Sequence, residues 1–390
     1  MRDAADHVGE FARALVSRRE ARLDALVARE IVDAGVAPCG VVAWARRVER
    51  GWRVAIGAAG TADDAIFDLA SLTKPLTAIA AMRLVAAGAL RRETTISALL
   101  PALGGRPAAH ARLEDLLAHR AGLPPWGAIY RRDPFAEARP DAHAALEIAS
   151  RSLPPNEPLA PLETLLQRAG SRLEPSAIGL AAAPTYSDLG YVLAGAMVAR
   201  VAGSLVGEGW ESISAATSAA RWRARDVAFA ERVQPTELVE WRGGEVRGEV
   251  HDENALAIER AGGEPGHAGA FGTALDVVLA AARFVDALRG SSPRDALLPP
   301  DLAEEMIAPR AIGSHRLGWD GVTAGASSSG TRFGARAFGH LGFTGTSVWA
   351  DPDAQAIAVL LTNRTHPSRQ NQRIRAARPR VHDALWAIEP

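Results

Sequence analysis

Only one cysteine, Cys39, occurs in 390 residues, which excludes an intrachain disulfide. It precedes a strand-like run, Val41 to Ala45, and the expected role is that of a small buried hydrophobe. An excess of either charge is lacking as well. A formal net charge of -1 gives no electrostatic case for nucleic acid or an anionic membrane surface as partner. No apolar run reads as a membrane span: Leu76–Leu90 and Leu189–Val206 carry Arg83 and Arg200 and have the spacing of core helices. Met1 to Arg22 is charged throughout and has no apolar core of a secretory signal, so a soluble cytoplasmic protein is expected. Aromatics make up 5% of the chain, and only three are tyrosines: Tyr130, Tyr186 and Tyr191. The most telling shortage is of lysine. Of 44 Lys and Arg residues, Lys74 is the sole lysine.

Arginine cannot be deprotonated in a protein, whereas a lysine amine shifts its pKa readily when buried or placed beside other charges. A position that must accept a proton therefore tolerates Lys and not Arg. Lys74 lies three residues after Ser71, so on a helix the two side chains share one face, one turn apart. They stand where a strand-like run, Ala65–Leu69, gives way to the helical pattern Leu76–Leu90. Free backbone N–H groups at such a helix start favour an anion. A hydroxyl nucleophile with an adjacent amine is one reading; Ser-x-x-Lys also occurs by chance in unrelated chains.

Along the chain, Phe11 to Val32 reads as an amphipathic helix. Gly40–Arg46 and Trp52–Ala58 read as a hairpin turned at Glu49-Arg50-Gly51. Leu113–Ala118 is a short helix stopped at Gly122 and Pro124-Pro125. Residues 126–183 are rich in Pro and Ala and suggest an inserted lobe or lid. Leu189–Val201 is helical, Val206–Val250 is weakly patterned, and Ala274–Leu288 is helical again. Strands are expected at Gly334–Gly339, Ser347–Asp351 and Ala356–Thr362, then a final helix, Gln370 to Ile388, bent at Pro379. This order predicts an α+β fold: an antiparallel sheet flanked by helices, with a second, mainly helical lobe. We expect one unit, 1–390, with an α/β lobe from 1–70 and 265–390 and a helical lobe from 71–264. The cleft between them would hold Ser71.

Two further stretches carry chemistry. Tyr186 and Asp188 lie in a loop before a helix, where both side chains can enter one site; a phenol near an ammonium can shuttle protons. A capping loop with a packed aromatic would give the same pattern. Gly339-His340-Leu341-Gly342-Phe343-Thr344-Gly345-Thr346 is a glycine-rich strand edge that a ligand can approach closely, unless it is only a bulge. There the Phe343 N–H could join that of Ser71 in holding an oxyanion, with Gly342 and His340 beside it. His251-Asp252-Glu253 and His267 are metal-ligating residue types in a spacing that fits no standard zinc site, so no metal is expected. His119 is expected to fix a loop. Gly262-Gly263 and Gly266 match no phosphate loop, and no cofactor is implied.

Taken in order, Ser71-Leu72-Thr73-Lys74, Tyr186-Ser187-Asp188 and His340-Leu341-Gly342 resemble the three motifs of the serine β-lactamase and penicillin-binding protein superfamily. The nearest group resembles the class C β-lactamase-related hydrolases, which include family VIII esterases and D-alanyl-D-alanine carboxypeptidases. Flanking segments add to the likeness, among them Phe67-Asp68-Leu69-Ala70, Leu116–Pro124, His251–Ala255, Gly266–Thr273 and Thr362-Asn363-Arg364. The resemblance implies Ser71 as nucleophile, Lys74 as its base or relay, Tyr186 as the partner acid/base, and the Ser71 and Phe343 amides as oxyanion hole. It implies a small ester, amide or peptide substrate. Class C β-lactamases have Asn where this chain has Asp188 and Lys where it has His340. A carboxylate there would hold Lys74 charged more firmly, and no permanent cation remains at the third motif for a substrate carboxylate. An esterase or D-alanyl peptidase-type hydrolase is therefore expected ahead of a β-lactamase. A non-catalytic binder or sensor using the same cleft is the alternative of another class. Oligomeric state is not read from the sequence.

Overall fold

A computed structural model describes residues 15–49, 51–135, 160–173, 178–205, 231–290 and 297–389. Eleven strands are present among them: β1 Leu15–Arg19, β2 Gly40–Val48, β3 Gly51–Ala59, β4 Phe67–Asp68, β5 Glu237–Val239, β6 Gly244–Val246, β7 Phe271–Gly272, β8 Asp320–Gly321, β9 Phe338–Leu341, β10 Ser347–Asp351 and β11 Ala356–Thr362. Seven of them form one sheet in the order β1-β3-β2-β11-β10-β9-β8, and the others pair as β4-β7 and β5-β6. Strands from the two ends of the sequence meet at β2 and β11, which run antiparallel from Gly40↔Thr362 to Arg46↔Ala356.

The central strands are apolar on both faces because helices cover both. Val41, Ala43 and Ala45 of β2, with Ile357, Val359 and Leu361 of β11, enter one core with Val278, Ala282 and Val285 of the Ala274–Leu288 helix. The alternate residues, Val42 and Trp44 with Ala358 and Leu360, enter a second core. That core is closed by Leu23 and Val27 of the Ala21–Val27 helix and by Ile374, Ala377 and Val381 of the Ile374–Leu385 helix. The period of two along each strand thus sorts side chains into two cores, and burial at every position replaces the polar alternation of a half-exposed sheet. On the first face, the Thr73–Ala86 helix packs on the Asp188–Ala202 helix, which also meets the Leu113–Leu117 and Leu162–Ala169 helices.

Three expectations need correction. The stretch from Phe11 to Val32 is not one helix: Leu15–Arg19 is a strand, and the helix begins at Ala21 and widens into a π turn over Ala28–Val32. Residues 11–14 lie outside the described residues. The β1 backbone pairs in parallel with Trp52–Ile56 of β3. Hydrogen bonding to that otherwise open edge outweighs helical periodicity, and it makes the sheet mixed. The strand expected at Gly334–Gly339 is shifted to Phe338–Leu341. The last helix is shorter, Ile374–Leu385, with Pro379 inside it. Of the stretches 126–183 and 206–250, residues 136–159, 174–177 and 206–230 fall outside the described residues. Cys39 is buried, and burial pushes its thiol up to about 12. Among the described residues, no helix is long and apolar enough to cross a membrane.

Candidate active site

Ser71 sits in a 3-10 turn, Ala70–Leu72, that runs directly into the Thr73–Ala86 helix. The preceding residue, Ala70, has φ +48, a left-handed conformation that costs a residue with a Cβ and persists only where its surroundings fix it. Those surroundings are visible. The buried Asp68 carboxylate accepts from the Ala70 N–H at 2.7 Å and from the His251 N–H at 2.8 Å. Burial raises its pKa in spite of those donors. Thr73 Oγ1 donates to the Ala70 carbonyl at 2.6 Å. From the β9–β10 turn, Thr344 and Thr346 donate to the carbonyls of Asp68 and Leu69 at 2.7 and 3.0 Å. The glycine-rich turn and the Ser71 turn are therefore riveted together, which requires a residue without a Cβ at Gly342. A Cβ there would overlap the Thr346 hydroxyl and stand 2.6 Å from the Leu69 carbonyl oxygen.

Lys74 is fully buried. Its Nζ donates to Ser71 Oγ at 2.8 Å and to the His267 carbonyl at 3.0 Å, and it lies 2.6 Å from Asp188 Oδ1. Burial pulls the amine's pKa down, but the Asp188 carboxylate and the Tyr186 hydroxyl outweigh it, and the net shift is above the usual 10.5. Lys74 is thus an ammonium at neutral pH. Tyr186 moves upward too: burial and Asp188 raise it, Lys74 opposes them, and the phenol stays neutral while bonded to Lys74 and Ser71.

The loop carrying Tyr186 and Asp188 is fixed by the segment before it. The His119 carbonyl accepts from the Thr185 N–H at 2.8 Å, and His119 Nδ1 accepts from the Ser187 N–H at 3.0 Å. Ser187 caps the following helix by accepting from the Gly190 N–H at 3.2 Å, and it donates to the Pro124 carbonyl at 2.6 Å. The His119 ring lies 4.4 Å from that of Tyr186. Its loop-fixing role is therefore met, and burial holds it neutral by lowering its pKa well below 6.5.

A cavity of about 550 Å³ opens over these groups, lined among others by Ser71, Trp126, Tyr186, Asp188, His340, Gly342 and Phe343. The residues named as catalytic or oxyanion candidates meet there: Lys74 touches Ser71 and Asp188, and the His340 ring lies 6.1 Å from that of Tyr186. His340 is buried, and that burial drops its pKa to about 3, so it is neutral. His315, which sequence reading missed, has its ring 5.6 Å from Tyr186, and burial lowers its pKa as well. The residues of metal-ligating type, His251, Asp252, Glu253 and His267, are each paired. His251 meets Glu237 at 2.9 Å, His267 meets Asp252 at 2.8 Å, and Arg369 joins Glu237 and Glu253 at 2.6 and 2.7 Å. Among the described residues, no group of three or more His, Cys, Asp or Glu could hold a metal ion.

The Beta-lactamase family profile matches residues 25–381, and the chain belongs to that family of serine hydrolases. It is 27% identical over 329 residues to the N-acetylmuramyl-L-alanine amidase of Bacillus subtilis (strain 168), covering 77% of this chain and 68% of the relative. Among solved structures it is similar to "EstCE1, a hydrolase with promiscuous acyltransferase activity", with TM-score 0.64, 20% identity, and 97% and 100% of the two chains covered. It is also similar to a class C beta lactamase from Rhodobacter sphaeroides, with TM-score 0.59, 14% identity, and 93% and 100% covered. These structural likenesses show a shared β-lactamase-like fold. The protein is an enzyme, a hydrolase of that family.

Proposed function

We propose that this protein cleaves small esters or amides through an acyl-enzyme on Ser71, as an esterase or D-alanyl peptidase-type acyl hydrolase. The observation that carries the reading is the buried Lys74 amine, 2.8 Å from Ser71 Oγ and 2.6 Å from the Asp188 carboxylate. Ser71 Oγ attacks the substrate carbonyl and passes its proton to Lys74, as Lys74 passes one of its own to Asp188. The ammonium thereby needs no prior deprotonation. Tyr186 protonates the leaving alkoxide or amine as the acyl bond breaks, and regains a proton from Asp188 through Lys74. In the second half the same relay takes a proton from water and returns it to Ser71 Oγ as the acid leaves. The Ser71 and Phe343 amides hold the oxyanion. His340, Gly342 and Asp188 shape the floor on which the acyl group lies.

The neutral His340 supplies no cation where class C β-lactamases carry Lys, which favours esters and amides without a carboxylate at that place over β-lactams, which carry one. The amidase relative supports an amide of a peptide as one substrate class. A fluorophosphonate probe is expected to label the wild type and miss Ser71→Ala; equal labelling of both rejects the reading. Turnover of p-nitrophenyl butyrate, nitrocefin, a D-Ala-D-Ala peptide and N-acetylmuramyl-L-alanine then ranks the substrates. Labelling without any turnover would favour a sensor.

A further inference from the structure

We propose that Arg378 is a positioning residue that strengthens the Phe343 amide as a hydrogen-bond donor to the reacting carbonyl oxygen. The inference rests on the acyl-enzyme reading above. Arg378 is buried, and its Nη2 donates to two carbonyls of the β9–β10 turn, Gly342 at 2.6 Å and Thr346 at 2.9 Å. Burial and the neighbouring guanidiniums of Arg364 and Arg375 pull it down to about 9, and no carboxylate offsets them. It remains a cation at neutral pH. Arg364 is used in the same way, donating to the carbonyls of Phe343 at 2.7 Å and of Arg369 and Asn371 at 2.9 Å each.

A buried cation without a carboxylate costs several kcal/mol unless polar groups replace its water, and here peptide carbonyls do so. The carbonyl held most closely belongs to the same planar, trans peptide unit as the Phe343 N–H. Within such a unit C=O and N–H point in opposite directions. The oxygen faces Arg378, so the N–H faces away from it, and Phe343 lines the Ser71 cavity. No hydrogen bond occupies that N–H among the described residues. A cation drawing on the oxygen withdraws electron density from the nitrogen and makes its proton a better donor, by the polarisation that strengthens linked hydrogen bonds in a low-dielectric setting. Developing negative charge on the substrate oxygen would feel this more than the neutral ground state does.

The experiment compares wild type, Arg378→Ala and Arg378→Lys after fluorophosphonate titration of Ser71. An unlabelled wild type would refute the acyl-enzyme reading before any variant is measured. With labelling established, kcat and KM are taken on p-nitrophenyl butyrate. Inhibition is taken with phenylboronic acid, which forms a tetrahedral anionic adduct, and with butyrate, which stays planar. Arg378→Ala is expected to lower kcat by about 10- to 100-fold, less than loss of a whole oxyanion donor costs. The boronate inhibition constant should rise by a similar factor, while KM and the butyrate constant stay within about threefold. Added guanidinium ion should restore part of kcat by filling the vacated space. If Arg378→Ala does not fold, Arg378→Lys decides, since it keeps the charge on a shorter side chain that must stretch to reach the two carbonyls Nη2 bridges. A roughly 3- to 10-fold loss selective for boronate is then expected. Boronate and butyrate weakening together would mean a merely displaced turn and overturn the proposal. So would an unchanged kcat, or a KM rise confined to substrates bearing a carboxylate.

Discussion

Replacing Gly342 by alanine tests the contact between the glycine-rich turn and the Ser71 turn. Gly342 is outside the positive-φ glycines, so the backbone accepts alanine and the effect is steric. The new methyl would stand 2.6 Å from the Leu69 carbonyl oxygen, where ordinary contact begins at 3.4 Å, so the strand must retreat by about 0.8 Å. It would also displace the Thr346 hydroxyl from its 3.0 Å bond to that same carbonyl. Losing that buried bond costs about 1 kcal/mol and the overpacking about 1–3 kcal/mol more, a fall in stability of about 2–4 kcal/mol. Because Phe343 moves with the strand, kcat should drop by about 100-fold, the usual consequence of an ångström of misplacement. Thermal melts and kcat on p-nitrophenyl butyrate measure both effects. Gly105→Ala, where the added methyl meets nothing within 4 Å, should be silent in both. A Gly342→Ala enzyme that keeps kcat within threefold at an unchanged melting temperature would refute the steric argument.

Lys74→Arg keeps the positive charge but cannot relay a proton, and kcat is expected to fall by about 10²- to 10⁴-fold. Full turnover would remove Lys74 from the mechanism. Asp188→Asn leaves the buried ammonium without its carboxylate. Discounting the cost of breaking a buried pair for the partial exposure of Asp188, the loss is about 2 kcal/mol. Because the folded Lys74 pKa is raised above 10.5, the pair's stabilisation is complete below that pH and is lost as pH rises through the folded value. The wild-type and variant melting temperatures should therefore differ most near neutrality and converge above pH 10.5; a constant gap would contradict the pairing. His340 has the opposite sign, with its folded pKa depressed from 6.5 to about 3. Its contribution is present above pH 6.5 and fades as pH falls toward 3, amounting to about 2 kcal/mol by pH 5. His340→Gln should flatten that part of the acid melting curve, and an unaltered acid limb would show that His340 is not the source.

The parts of the site that were legible in the sequence depend on short separations or on scarcity. Ser71 and Lys74 are one helical turn apart, and Lys74 has no other lysine to compete with it. Asp188 follows Tyr186 by two residues at a cap, so its encounter with Lys74 needed only the loop to face the Thr73–Ala86 helix. The central strands were legible as apolar runs bounded by turns. By contrast, β1 was hidden because Leu15–Arg19 continues into a genuine amphipathic helix, and what makes it a strand is the distant edge of β3. His315 and Arg378 carried no local signal either. Arg378 is one arginine among many, on a helix whose exposed positions hold two more, Arg375 and Arg380. Only the fold reveals that it ends on the Gly342 carbonyl.

A chain whose sole side-chain ε-amine is sealed in its interior has a built-in reporter. Acylating reagents such as hydroxysuccinimide esters find no other lysine to modify. The pace of side-chain labelling therefore clocks how often this region opens to solvent, and an inhibitor that closes the pocket should slow that clock before any change appears in bulk unfolding.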